Sequence, residues 1–428
     1  MREDIKPADM ERGSEDSSDV NSAISKRPCA ETSYAARASL TDGNAVLYFE
    51  VYLNRRSFLE AGLVFLASMV GMIAGGLWLF LKQAKFGMLP EGARLERIRR
   101  SPNFRDGEFR NQLATPMMTG ESGSLKTILR YLFNTNKRLR PKGPIPSVRM
   151  DLRHLASTED VLVWFGHSSY FLQVDGKRIL VDPVLSGRAS PVSFTTKAFD
   201  GTDPYSAADI PEIDFLFITH DHWDHLDYDT LMKMRPRVKK VICPLGVGAH
   251  LERWGYASST VEEGDWGDSF VLGDGFNSHV LPARHFSGRG LRRNSTLWAS
   301  YALQTSSGRR IYLGGDSGYG PHFSEIGKQF GGFDLAVLEN GQYDKAWKFI
   351  HMMPDETLQA GKDLHASLIF PVHNSKFCIS NHDWDAPLRS ISAIAGETRP
   401  QLITPVIGSV VHLQNPLGDS SNWWANVD

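Results

Sequence analysis

The sequence predicts an α/β protein, in which helices cover β-sheets, with a single membrane-spanning helix near the N-terminus. From Asp160 onward, short apolar runs alternate with loops and helix-like segments, as in sheets covered by helices. Ala61–Leu81 is a run without charged residues, bounded by Arg55-Arg56 and Lys82, and it is long enough to cross a bilayer as a helix. Hydrophobic residues make up 41% of the 428 residues, which supports a large packed core.

The N-terminal segment divides into a tail and an anchor. Residues 1–54 are predicted to be a disordered tail, because Ser, Asp, Glu, Ala and Lys dominate without apolar periodicity. A start of translation at Val51 is an alternative. Residues 55–82 are predicted to be a signal anchor, because Arg55-Arg56-Ser57-Phe58-Leu59 is typical of twin-arginine export signals and no convincing cleavage site follows. A buried core helix is the alternative for Ala61–Leu81.

Two patterns disagree on the side of the membrane. The twin-arginine pattern predicts a single-pass inner-membrane anchor with a periplasmic catalytic domain, which we favour. Positive charges are more numerous after the helix than before it, which predicts a cytoplasmic domain. Glu91–His154 contains fourteen Lys or Arg against six Asp or Glu. Residues 83–159 are therefore predicted to be a basic juxtamembrane segment that packs on the catalytic domain and suits anionic headgroups, with an ordinary charged surface as the alternative.

The catalytic domain is predicted over residues 160–415, with a C-terminal tail over residues 416–428. Helices are predicted at Tyr228–Met234 and Pro354–Leu364. Apolar and β-branched runs bounded by turn residues predict the strands of the domain. These runs are Val161–Phe165, Tyr170–Val174, Arg178–Val181, Phe215–Thr219, Val238–Ile242, Val280–Leu281, Ile311–Leu313, Leu335–Leu338, Leu368–Val372 and Val406–His412.

The highest local density of candidate metal ligands is in the motif His220-Asp221-His222-Trp223-Asp224-His225, which directly follows the apolar run Phe215–Thr219. Imidazole and carboxylate groups suit zinc or a similar divalent metal. The first two histidines are two residues apart, so an extended turn points both side chains toward one ion. Asp224 and His225 come just beyond, where the chain can present them to a second ion. A solvated polar turn is the alternative, but clustered histidines need partners.

Three further candidate ligands stand where a buried strand run ends and a loop begins, the usual place for site residues. Two catalytic ions need about three protein ligands each and often a bridging carboxylate. The three cysteines are too few and too far apart to form a zinc site of their own. The further candidates are His285 after Val280–Ala283, Asp316 after Ile311–Gly315, and His373 after Leu368–Val372.

These motifs resemble the metallo-β-lactamase superfamily. More narrowly, they resemble the branch that contains N-acylphosphatidylethanolamine-hydrolysing phospholipase D and its bacterial membrane-anchored relatives. The resemblance covers roughly residues 86–389. Besides the histidine motif, it is carried by Val163–Ser169, Val181–Val184, Gly314–Tyr319, Phe323–Gly327 and Pro371–His373.

The resemblance implies an αββα sandwich that holds two divalent metal ions, with zinc expected and iron or manganese tolerated by the same ligands. Asp316 would bridge the ions, and Asp224 would also orient the nucleophile, so these two carboxylates are the candidate catalytic residues. Relatives carry Trp-Gly after the last histidine, whereas this chain has Asn374-Ser375, which bears on the shape of the pocket. The first group of implied ligands is His220, His222 and His285, and the second group is Asp224, His225 and His373.

Three other positions have implied or inferred supporting roles. His167 and His351 resemble pocket positions of the branch and are expected to touch substrate, with a purely structural role as the alternative. Asp182 is predicted to orient the ligating imidazoles rather than to bind metal. Glu339–Tyr343 follows a strand, and it either shapes the pocket or merely ends the strand.

The predicted reaction is hydrolysis by hydroxide, since two adjacent divalent ions lower the pKa of a shared water toward neutrality. We expect a phosphodiesterase that acts on a phospholipid, because the membrane anchor places the site where phospholipid is concentrated. The alternatives are hydrolysis of a lactone, ester or thioester, which the same superfamily performs, and a non-catalytic, membrane-tethered metal-binding protein. The membrane is an expected partner and nucleic acid is not, because no recognition module is apparent.

Overall fold

The computed structural model describes residues 34–41, 44–51, 55–119, 136–396, 400–418 and 420–427. The chain falls into two compact units, Met1–Trp78 and Leu79–Asp428.

The N-terminal unit begins with a β-hairpin in the segment for which the sequence predicts a disordered tail. β1 (Tyr34–Thr41) pairs antiparallel with β2 (Asn44–Val51). The sequence between these strands is Asp42-Gly43, which favours two-residue hairpin turns, and the second strand is rich in β-forming residues. The expectation of a disordered tail is therefore wrong for these strands, and residues 1–33 lie outside the described residues.

The long helix α1 (Arg55–Leu81) follows the hairpin. Its segment Phe58–Leu81 has a mean hydropathy of 2.1 with none of it buried. Among the residues that the structure describes, it is the one helix long and apolar enough to cross a membrane. Because none of this segment is buried against the described residues, the alternative of a buried core helix does not fit.

The second unit is built on two mixed sheets of seven strands each. A short hairpin precedes them, formed by β3 (Phe104–Arg105) and β4 (Glu108–Phe109). The first sheet has the order β10 (Val261–Gly264), β9 (Val238–Pro244), β8 (Ile213–Phe217), β7 (Lys177–Val181), β6 (Tyr170–Val174), β5 (Val161–Trp164) and β18 (Val410–His412). The second has the order β11 (Ser269–Gly273), β12 (Phe276–Leu281), β13 (Ser300–Gln304), β14 (Arg310–Leu313), β15 (Phe333–Glu339), β16 (Ala366–Val372) and β17 (Gln401–Leu402).

Helices cover the outer face of each sheet. The helices of the unit are α2 (Gly92–Arg99), α3 (Tyr228–Met234), α4 (Gly248–Arg253), α5 (His322–Phe330), α6 (Pro354–Asp363) and α7 (Ala386–Ile394). α3 and α4 pack on the first sheet through Leu231 and Leu251, and α5 to α7 pack on the second through residues such as Phe323 and Ile391. The result is the predicted αββα sandwich.

The central strands are apolar on both faces because both faces are covered. Successive side chains of a strand point to opposite faces. In β5, Leu162 and Trp164 therefore enter the core between the sheets, where residues such as Tyr301 meet them. Val161 and Val163 face the helices instead. This explains why the strands read as continuous apolar runs.

The candidate site residues share one edge of the sandwich for a topological reason. β7 and β8 are parallel, and β5 runs in the same direction because two antiparallel steps separate it from β7. In the second sheet, β14, β15 and β16 are parallel, and β12 shares their direction. The carboxyl ends of all seven strands can therefore present loops to a common site.

The C-terminal boundary differs from the prediction. Trp423 and Trp424 are buried in the core between the sheets, so residues 416–428 include part of the catalytic unit and are not merely a tail. The predicted last strand, Val406–His412, is shorter in the structure, where β18 covers Val410–His412.

Candidate metal centre

The first group of predicted ligands, His220, His222 and His285, forms a tight cluster. The Nδ1 atom of His222 lies 2.9 Å from Nε2 of His220 and 3.2 Å from Nε2 of His285. Together with Asp316, these residues offer ligand atoms within 4.8 Å of one another. His220 and His285 are buried, and His222 is half-buried, so the cluster opens on one side.

The second group, Asp224, His225 and His373, converges in the same way, but it includes a fourth member. His167 joins it, and the four residues offer ligand atoms within 4.8 Å of one another. Nε2 of His167 lies 2.9 Å from Oδ2 of Asp224. The Asp224 side chain is only 14% exposed, so this second group is almost closed to solvent.

Asp316 stands between the two groups, and its two oxygens face different imidazoles. Oδ1 lies 3.2 Å from Nε2 of His225 and 3.1 Å from Nδ1 of His373. Oδ2 lies 3.8 Å from Nε2 of His220 and 3.6 Å from Nε2 of His285. One carboxylate therefore faces both groups, which is the arrangement that a bridging ligand requires.

His220 and His285 are each held in place by the ring nitrogen that points away from the cluster. Nδ1 of His220 lies 3.0 Å from the Thr219 hydroxyl, and Nδ1 of His285 lies 2.9 Å from the carbonyl oxygen of Ile350. A donor–acceptor pair of this kind fixes the tautomer and the orientation of a metal-binding histidine.

Asp182 lies outside the cluster and contacts one of the candidate ligands. Its Oδ2 accepts hydrogen bonds from Nδ1 of His225 at 2.8 Å and from the Thr219 hydroxyl at 2.6 Å. The residue is 1% exposed and has a φ of 41°. Backbone held in this region by a non-glycine residue is typical of functional sites.

The residues present fit a pair of metal ions. Nδ1 of His225 donates to Asp182. Its buried Nε2 atom faces the cluster, 3.2 Å from Oδ1 of Asp316, and makes no well-aligned hydrogen bond to the described residues. Burial lowers the pKa of His220, His285 and His373 well below the ordinary value. These imidazoles are therefore neutral near pH 7, which is the form that binds metal.

The two predicted pocket histidines have different places. His167 is fully buried and lies among the candidate ligands of the second group. His351 is 12% exposed, and its Nδ1 lies 2.7 Å from Oε2 of the buried Glu339. With Asp316 and His373, this pair forms a third group of possible ligand atoms within 4.8 Å of one another.

Sequence reasoning left the role of Glu339 open and did not single out Ser168. Glu339 is the last residue of β15, and its two oxygens bind Nδ1 of His351 and the backbone N–H of Met352. The Ser168 hydroxyl lies 3.0 Å from Nδ1 of His373. The position of Glu339 at a strand end is the only sequence signal that points to it.

Half-buried aromatic rings lie on the chain next to the candidate ligands, and cations lie over them. Phe286 packs 4.4 Å from His222, ring centroid to ring centroid, and Arg293 lies 5.5 Å from the Phe286 ring. Lys348 lies 5.2 Å from the ring of Phe349. We call Trp223, Phe286 and Phe349 the aromatic rim.

The comparisons with known proteins agree with this geometry. Residues 177–374 match the family model described as a β-lactamase superfamily domain. Protein Rv0906 of Mycobacterium tuberculosis is 36% identical over 84% of this chain and 98% of its own length. N-acyl-phosphatidylethanolamine-hydrolyzing phospholipase D 1 of Caenorhabditis elegans is 34% identical over 59% of this chain and 76% of its own length. Outer membrane protein RomA of Klebsiella pneumoniae is 63% identical over 23% of this chain and 75% of its own length.

Fold, site and family model together define a hydrolase of the metallo-β-lactamase superfamily. Within it, the chain belongs to the family that includes N-acyl-phosphatidylethanolamine-hydrolysing phospholipase D. The predicted resemblance is thus confirmed.

Proposed function

We propose that the chain is a phosphodiesterase that uses two metal ions to hydrolyse a phospholipid, in the manner of an N-acylphosphatidylethanolamine phospholipase D. The observation that carries the proposal is the division of the Asp316 oxygens between two imidazole clusters. Paired ions about 4 Å apart are typical of phosphoester hydrolases.

We assign one ion to the first group and the other to the second group, with Asp316 shared and Asp182 as the orienting carboxylate. Zinc is the proposed metal, because histidine-rich tetrahedral sites suit it. When bound, the ions supply an activated water and neutralise the charge that develops on the substrate oxygens.

Two polar side chains beside the proposed metal ions would orient the attacking water and bind the substrate. Asp224 is held by His167 at 2.9 Å, so its position is fixed for orienting the attacking water. His351 is held by Glu339 at Nδ1, which leaves Nε2 for a polar contact with the phosphodiester. Asp224 and His351 would thus act as groups fixed in advance of catalysis.

The opening suits an anionic amphiphile. The aromatic rim offers apolar surface to acyl chains, and Arg293 and Lys348 place positive charge beside the rings. A phospholipid combines a phosphate with apolar chains, whereas a simple lactone or thioester needs no cation at the rim.

The apolar helix α1 supports a membrane location for the enzyme, as does the likeness to an outer membrane protein. We propose a single-pass inner-membrane anchor with the catalytic unit on the periplasmic side, following the twin-arginine pattern at Arg55-Arg56. A reporter fused to the C-terminus and assayed for activity on either side of the membrane tests this topology.

A substrate panel tests the proposed reaction. The purified, zinc-loaded full chain is offered an aryl phosphodiester, N-acylated phosphatidylethanolamine, and a set of lactones and thioesters. We expect hydrolysis of the phosphodiester bond in the phospholipid. Turnover of the carbonyl substrates alone would show a lactone, ester or thioester hydrolase. A folded, metal-loaded chain without any turnover would show a non-catalytic protein.

A further inference from the structure

The segment that follows the apolar helix lies directly against the loop that carries four of the candidate ligands. We call Ala84–Met88 the strap and His220–Leu226 the motif loop. The ring of Phe86 packs edge-on against Trp223 of the motif loop, with centroids 5.2 Å apart. Trp254 donates a hydrogen bond from its indole N–H to the carbonyl oxygen of Ala84 at 2.7 Å.

The buried side chain of Arg289 connects the strap to the motif loop by hydrogen bonds to both. It is only 4% exposed, and its guanidinium donates to the carbonyl oxygens of Asp221 and Leu226 at 2.9 and 2.6 Å. Another of its nitrogens donates to the carbonyl oxygen of Lys85 at 2.9 Å. The same guanidinium lies 3.9 Å from the Trp223 ring. One planar cation thus ties both ends of the motif loop to the strap.

A second connection runs through His250 and Asp221. The backbone N–H of Met88 donates to Nδ1 of His250 at 3.0 Å. Because Nδ1 is thereby an acceptor, the neutral ring carries its proton on Nε2, and Nε2 lies 3.2 Å from Oδ2 of Asp221. Asp221 also accepts from the Gly288 N–H at 2.6 Å and from the Thr296 hydroxyl at 2.9 Å.

Asp221 therefore has a structural role, although it lies between two candidate ligands in the sequence. Both of its oxygens are used by donors outside the metal cluster, and the residue is 3% exposed. Neither Asp221 nor Arg289 faces the opening, so neither is a catalytic residue.

We propose that the strap positions the metal-binding loop, and that Arg289 and the His250–Asp221 pair are the positioning residues that transmit its conformation. The inference rests on the proposed function only in that the motif loop holds metal. Partners outside the ligand set typically change metal affinity by about 10–100-fold when they are lost. The segment that leaves the apolar helix then controls the geometry of the centre as well as linking the helix to the catalytic unit.

Gly87 gives a sharp test within the strap itself. It has a φ of 71°, and a Cβ atom there would lie 1.9 Å from Nδ1 of His250. Gly87→Ala must therefore displace the imidazole or the strap, although it lies outside the motif loop. Gly107 is the matched control, because it has a φ of 83° with no atom within 4 Å of an added Cβ.

Arg289 has its own matched control in Arg253. Arg253 donates to the carbonyl oxygen of Lys82 at 3.1 Å, just before the strap, and no hydrogen bond to the motif loop is found for it among the described residues. Arg289→Met removes the connection to the loop, whereas Arg253→Met removes an arginine of the same neighbourhood without touching it.

The experiment measures Co²⁺ binding to the full chain in detergent, by competition with a chelator and by visible absorption. Gly87→Ala and Arg289→Met are expected to weaken Co²⁺ binding by about tenfold or more and to change the absorption spectrum, while Gly107→Ala and Arg253→Met resemble wild type. If Gly87→Ala fails to fold, the milder pair Arg289→Lys and Arg253→Lys decides.

Unchanged Co²⁺ affinity and an unchanged spectrum in folded Gly87→Ala and Arg289→Met would overturn the proposal. Equal losses in the control variants would also overturn it, since they would show a general effect on stability. A wild-type chain without Co²⁺ binding would instead overturn the proposed function, and the role of the strap with it.

Discussion

The two halves of the candidate centre differ in charge, although they share Asp316. In the first group all three ligands are imidazoles, and the groups that orient them are neutral, namely the Thr219 hydroxyl and the Ile350 carbonyl. The second group contains the carboxylate of Asp224, and the carboxylate of Asp182 stands directly behind His225.

This difference teaches that the two sites are not equivalent. An ion in the first group would keep more of its positive charge, because Asp316 is the one carboxylate among the described residues of that group. An ion in the second group is surrounded by more negative charge and also has a spare imidazole, since the ring of His167 lies 4.2 Å from that of His373. The second group is therefore expected to tolerate the loss of a ligand better than the first.

The largest effect is expected where the two groups meet. Asp316→Ala removes the shared carboxylate and leaves two clusters of buried imidazoles without their common partner. Turnover should fall by on the order of a thousandfold or more, which corresponds to about 4 kcal/mol in the barrier. Steady-state kinetics and elemental analysis on the same preparation check this, and near-normal turnover would show that Asp316 does not bridge.

The second prediction compares one ligand from each group. His285→Ala should lose the first ion, leaving about one ion per chain, because the imidazole beside it, that of His351, lies 5.0 Å away ring to ring and is held by Glu339. His373→Ala should retain more metal, since His167 can take its place. Elemental analysis measures both, and the double variant His167→Ala/His373→Ala should fall to about one ion per chain. Equal metal loss in the two single variants would contradict the difference between the groups.

The sequence brings out the candidate ligands because each lies at or soon after the end of a strand run. His220 comes three residues after β8, and His373 comes one residue after β16, so a local pattern is enough to find them. Because the strands that precede the candidate ligands run in the same direction, their carboxyl ends bring these residues to the same edge of the sandwich.

His167 and Glu339 were harder to place for the opposite reason. The contact between His167 and Asp224 joins residues far apart in sequence, and it depends on a φ of 53° at His167 that no local pattern signals. Strand β13, with the sequence Ser300–Gln304, was missed as well, because its burial comes from pairing with its neighbours more than from β-branched residues.

A third prediction concerns Asp182, the carboxylate that contacts a candidate ligand of the second group but none of the first. Asp182→Asn weakens the hydrogen bond that holds His225, so metal affinity of the second group should fall by about 10–100-fold, while the first group keeps its ion. Asp227→Asn is the control, because Asp227 is another buried carboxylate, and it caps α3 by hydrogen bonds to Thr230, Asp229 and Ser186, none of which is a candidate ligand. Titration with zinc followed by calorimetry separates the two sites. Equal weakening of both sites would contradict the assignment.

The smallest effect is expected at the opening. His351→Phe keeps a ring but removes the polar contact for the phosphodiester, and we expect kcat/KM to fall by about tenfold, or 1.4 kcal/mol. Metal content should stay unchanged. His279→Phe is the control, since His279 lies in β12 of the second sheet and packs against Phe330 of α5. A loss of metal in His351→Phe would place His351 among the ligands instead.

The central claim is that one carboxylate joins two metal sites. Anomalous diffraction from crystals of the zinc-loaded full chain, recorded on both sides of the zinc edge, tests it most directly. We expect two peaks, one in the first group and one in the second group, with Asp316 between them. A single peak, or two peaks of which neither lies beside Asp316, would contradict it.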